Sequence, residues 1–124
     1  MMRLSFNVAL FIMLFSIGSL LTVKPAFAAE IDGNWLFTLD TEDGVREISA
    51  TLKLEGEKVT GKWGEFDVKG IFSGRNLDLE FSIYVEEVQT EGNLRIAGKL
   101  EKGKLVGSWE FDQYAGTFEA SHRN

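Results

Sequence analysis

From Gly33 to the end of the chain, apolar and polar residues alternate. Ile48, Ala50, Leu52 and Leu54 interleave with Glu47, Ser49, Thr51 and Lys53, and Leu77, Leu79, Phe81, Ile83 and Val85 with Asp78, Glu80, Ser82 and Tyr84. Successive side chains of an extended chain stand on opposite faces, so each such segment has one apolar and one polar face. Beyond the N-terminal apolar run no segment repeats with the helical period. The chain therefore reads as strands over 33–40, 46–55, 58–64, 66–73, 76–86, 91–101, 104–112 and 114–121. Glu42-Asp43-Gly44, Glu55-Gly56-Glu57, Ser73-Gly74-Arg75-Asn76 and Glu101-Lys102-Gly103 separate them with turn-forming residues, which predicts antiparallel hairpins. The longest connection runs from Glu86 to Asn93, where Val88 and Thr90 could instead extend the flanking strands.

One phrase recurs along this pattern: an apolar residue, a spacer, a glycine, a spacer and a large apolar residue. It appears as Ile31-Asp-Gly33-Asn-Trp35, Val59-Thr-Gly61-Lys-Trp63, Val68-Lys-Gly70-Ile-Phe72, Ile96-Ala-Gly98-Lys-Leu100, Leu105-Val-Gly107-Ser-Trp109 and Tyr114-Ala-Gly116-Thr-Phe118. Its first, third and fifth positions share a face. An inward glycine bends the strand and leaves room for an aromatic ring from the next one. Strands with one apolar face and short turns either stack as two sheets or close on themselves, and closure removes exposed edges. The expected fold is all-β, an eight-stranded antiparallel up-and-down meander barrel after an N-terminal signal helix. An interior this narrow holds side chains or one small ligand. With roughly 30 inward side chains the barrel should be full, leaving at most a shallow cup at one end.

The N-terminal segment changes how composition is read. Met1-Met2-Arg3, an apolar run over 8–23 and Pro25-Ala26-Phe27-Ala28 have the form of a secretory leader cut after Ala28, although the run is long enough to serve instead as an uncleaved anchor. The expected organisation is a signal peptide over 1–28 and one barrel domain over 29–124, secreted or periplasmic, with no membrane attachment after cleavage. Arg3 and Lys24 leave with the leader, so 11 of the 13 basic residues face 19 acidic ones, a formal charge of −8. That balance disfavours nucleic acid and anionic lipid. Cysteine is absent, so no disulfide supports the fold and no lipidated cysteine is available.

Gly33-Asn34-Trp35 on the first strand of such a meander resembles the calycin superfamily, which includes lipocalins, fatty-acid-binding proteins and avidins. Small secreted bacterial barrel domains with repeated Gly-x-Trp or Gly-x-Phe phrases are similar too. The resemblance implies a closed end, where a basic residue after the last strand, here Arg123, covers the Trp, and an open mouth opposite. The chain departs from lipocalins in its short length and in lacking a helix and cysteines. It departs from avidins in having no Ser, Asn or Thr on the inward parity of these strands, so biotin binding is not implied. Barrel-type metalloprotease inhibitors usually carry a disulfide that this chain cannot form.

Chemistry-bearing residues are few. His122 is the single histidine, near a terminus where fraying is common. Without a second histidine, a cysteine or a Ser-His-Asp arrangement, neither a zinc site nor nucleophilic catalysis has its parts, and no Asp-x-Asp-x-Asp loop points to calcium. An enzyme of cyclase or isomerase type would need a polar group inside the barrel. No enzyme activity, cofactor or metal is expected. Trp35, Trp63 and Trp109 all fall on the inward parity, as core or as ligand wall.

Charge adds a direction to the barrel. Alternate turns of a meander share an end, which gathers Asp40, Glu42, Asp43, Glu65, Asp67, Glu86, Glu87, Glu91, Glu110 and Asp112 against Arg46 alone. The other end mixes Lys53, Lys58, Arg75, Lys99, Lys102, Lys104 and Arg123 with Glu55, Glu57, Asp78 and Glu101. Such an acidic rim either keeps loops solvated or attracts a cation, with aromatic rings beside it for cation–π contact. The candidate ligand-binding residues are Trp63, Glu65, Asp67, Tyr84, Glu86, Glu87, Phe111, Asp112 and Tyr114. The expected function is a non-enzymatic binding module for a small or cationic ligand. The alternative is a structural or protein-interaction module with a filled barrel, using outward apolar residues such as Leu36, Ile71, Tyr84, Val106 and Ala115.

Overall fold

The computed structural model describes residues 26–123. A single turn of helix, α1 (Ala26–Ile31), precedes eight strands: β1 (Gly33–Thr41), β2 (Gly44–Glu55), β3 (Lys58–Trp63), β4 (Phe66–Ser73), β5 (Asn76–Val85), β6 (Thr90–Glu101), β7 (Lys104–Phe111) and β8 (Tyr114–His122). Each strand pairs antiparallel with its neighbour in sequence, and β8 returns to β1, closing the barrel. The leader expected over 1–28 lies, up to residue 25, outside the described residues. The Ala28–Ala29 bond falls within α1, and the compact barrel unit begins at Ile31.

Alternation becomes the wall. Burial along β5 is strictly alternate from Asn76 to Tyr84, and the inward set includes Trp35, Phe37, Leu52, Val59, Phe72, Leu79, Ile96 and Leu105. Among the described residues the buried core contains no polar or charged side chain. The outside carries Glu47, Lys53, Lys62, Lys69, Asp78 and Glu80, all exposed, the reverse of a barrel whose outer surface faces lipid.

The glycines act through close approach. At Gly116 a side chain would collide with the carbonyl oxygen of Asp40 at 2.2 Å and the Trp109 indole nitrogen at 2.7 Å. The Trp109 indole crosses over Gly116 and donates its N–H to the Asp40 carbonyl at 3.0 Å, tying β7 to β1 across β8. At Gly107 the obstacle is backbone, the Ala97 carbonyl oxygen at 2.0 Å, so there glycine permits strand coiling rather than ring packing. The repeated phrase thus supplies both devices that closure requires.

One end of the barrel is solid. Ile31 is fully buried there; its carbonyl accepts the Trp35 indole N–H at 2.8 Å, and the neighbouring Asp32 carboxylate accepts the Leu54 amide at 2.7 Å. His122 lies exposed beside it. Expected to fray, it is the last residue of β8, on the inward parity, with its ring 3.9 Å from that of Trp35. Arg123, expected over that Trp, bonds the Ser49 hydroxyl at 2.8 Å on the outside.

Candidate functional site: an acid-rimmed cup

The opposite end of the barrel is open, with a larger cup than the shallow one expected, set above inward side chains that remain buried. A cup of about 1020 Å³ opens at the end bearing the β1–β2, β3–β4, β5–β6 and β7–β8 turns. At its base Trp63 rests on Phe37 and Phe81, with ring centroids 4.8 and 5.6 Å away. Leu39, Ile48, Ile83, Leu94, Trp109 and Phe111 form the apolar wall, with Phe66, Val85 and Tyr114 half-buried near the top. Glu42, Asp43, Glu65, Glu86 and Glu87 stand at the rim, with Arg46 among them.

The candidate residues sort cleanly. Trp63, Glu65, Tyr84, Glu86, Glu87, Phe111 and Tyr114 all line the cup. Asp67 does not: it lies on the outward parity of β4, its carboxylate bonded to the Lys62 ammonium at 2.6 Å. Lys62 therefore joins Arg46 as a cation at this end, where Arg46 alone was expected. Asp112 does not line the cup either. It occupies the turn between Phe111 and Tyr114 with a left-handed φ of 56°, so its place follows from turn geometry.

Leu39, Ile83 and Leu94 were missed, although parity and closeness to the mouth-side turns mark them; Trp109, read as core or as ligand wall, also lines the cup. Tyr84 and Ala115 line the cup from outward positions, which alternation alone would not allow. Both stand where a ladder has ended: β4 and β5 are paired only from Gly70–Leu79 to Ser73–Asn76, and β1 and β8 only as far as Leu39–Phe118.

The β5–β6 hairpin reaches the mouth, where Glu86, Glu87 and Val88 of its turn line the rim. Of the connection read over 86–93, the alternative of extended flanking strands holds: Thr90 to Asn93 pair with Val85 to Ser82, leaving Glu86–Gln89 as the turn. The Arg46 guanidinium donates to the Glu87 carboxylate, joining β2 to this turn across the mouth. That hydrogen bond, helped by the Glu87 amide, holds the Glu87 pKa below the usual glutamate range. No ion pair engages Glu42, Asp43, Glu65 or Glu86 among the described residues. Nor do three His, Asp or Glu side chains converge there as metal ligands.

No family model, curated protein or solved structure matches this chain.

Proposed function

We propose that the protein is a non-enzymatic binding module whose cup takes a small amphipathic ligand, apolar body downward and positively charged group at the rim. The observation that carries this is the combination of a roomy apolar cavity with five carboxylates at its lip. Volumes of about 300 to 1,000 Å³ are typical of small-molecule sites. A desolvated apolar body supplies affinity, while the carboxylates raise the local concentration of cations and orient them. Trp63, Trp109 and the phenol rings offer faces for cation–π contact.

The calycin-like topology supports the same placement, since one end is plugged and the other open. With the leader-like N-terminus, the module is proposed to work outside the cytoplasm. The alternative of a filled barrel docking a protein partner has less support. Of the outward apolar residues, Leu36 and Val106 are half-buried, Tyr84 and Ala115 belong to the cup, and no two of the set are ladder partners.

Tryptophan fluorescence reads the site directly because Trp63 and Trp109 line it. Titration with octyltrimethylammonium and with its neutral counterpart octanol should perturb the emission, the cation binding more tightly at low salt. If neither perturbs it, the cup does not bind amphiphiles.

A further inference from the structure

The ion pair across the mouth has a second meaning. Arg46 places a cation at the lip of the cup, and among the rim carboxylates it engages Glu87, on the hairpin turn that lines that lip. The protein's own guanidinium thus marks a position where positive charge is well accommodated above an apolar cavity. The tip of this hairpin has no flanking ladder, although Phe81 and Ile83 below it are buried in the core. On one flank the ladder to β4 ends at Leu79; on the other the ladder to β7 ends at Leu94. From Glu80 to Val85 and from Thr90 to Asn93 the two strands pair with each other alone. The tip can tilt without breaking a barrel ladder, and Arg46–Glu87 links it to the β1–β2 side of the mouth.

Taking the cup as the binding site, we propose that Glu87 is the carboxylate that receives the ligand's cation. Arg46 is a tethered competitor for it and holds the β5–β6 tip over the mouth until the exchange. The exchange favours ligands that bring both a cation, to replace the guanidinium on Glu87, and an apolar body, to occupy the space beneath. A neutral amphiphile must open the mouth with no replacement for the broken pair. An anion meets four further carboxylates, Glu42, Asp43, Glu65 and Glu86, and is disfavoured.

The test is a double-mutant cycle on the full chain, with octyltrimethylammonium and octanol as probes and tryptophan fluorescence as readout. Arg46→Met should tighten octyltrimethylammonium binding about tenfold while moving octanol less than about threefold. Glu87→Gln should weaken the cation about tenfold in the Arg46→Met background but less than about threefold with Arg46 present, since it also releases the competitor. Arg46→Gln serves as a second removal of the charge should Arg46→Met fold poorly. Equal cost of Glu87→Gln in both backgrounds would show that Arg46 acts only through its field, and would overturn the exchange. So would unchanged cation affinity in both Arg46 variants. If octanol binds normally in either case, the cup survives and only the exchange is lost; if neither probe binds any variant, the cup itself is refuted.

Discussion

At the scale of single residues, the glycines of the repeated phrase do the most to decide whether the barrel closes. Gly116→Ala would drive a methyl group into the Asp40 carbonyl and the Trp109 indole, neither of which can move without opening the β7–β8–β1 seam. Overpacking of this kind costs about 1–3 kcal/mol, and a backbone obstacle puts Gly116→Ala at the upper end; urea unfolding monitored by circular dichroism should show the loss. Lys102 offers the opposite prediction. With Gly103 it forms a two-residue turn with positive φ at both positions, 53° and 80°, a geometry that favours Asn-Gly. Lys102→Asn should stabilise the protein by up to about 1 kcal/mol, read as a higher urea midpoint. Glu87 supplies a pH prediction. Its folded-state pKa is depressed, so its ion pair persists above the usual glutamate pKa of about 4.3 and is lost as pH falls through the lower folded value. A methyl resonance of the neighbouring Val88 should titrate below that usual value, and in Arg46→Met the midpoint should rise towards it. Parity was already visible in the sequence at this scale, yet two residues were read against it: Asp67 is polar on an outward position, and His122 sits on an inward one despite its nearness to the terminus.

Among the elements, period-two alternation placed each strand within about two residues, because every strand has one dry face and one wet one. It held even at the tip of the β5–β6 hairpin, where the strand read over 91–101 begins at Thr90, and where β5 and β6 have lost their flanking ladders to β4 and β7. The same loss of flanking partners makes this tip the least protected part of the barrel. Amide hydrogen exchange should therefore be faster at Tyr84 and Glu91 than at Leu79 and Ile96, which lie deep in the ladders. Ile83→Trp tests the wall itself. A bulkier side chain at this position occupies the upper cup, so octyltrimethylammonium affinity should fall by about tenfold or more with the rim charges unchanged.

The barrel is polar in two senses: plugged at one end and open in a cup at the other, mixed in charge at the plugged end and largely acidic at the mouth. Meander topology creates the second sense, since it gathers alternate turns and the carboxylates they carry. That much could be deduced from strand order. The size of the cup could not, because counting inward side chains does not show where the ladders end near the rim. The most direct test is methyl NMR of the full chain titrated with octyltrimethylammonium. Leu39, Ile48, Ile83, Val85 and Leu94 should shift, while Leu77, Leu79 and Leu105 at the plugged end stay still. Shifts confined to the outward Val45, Ile71 and Val106, or none at all at saturating probe, would contradict a ligand-binding cup.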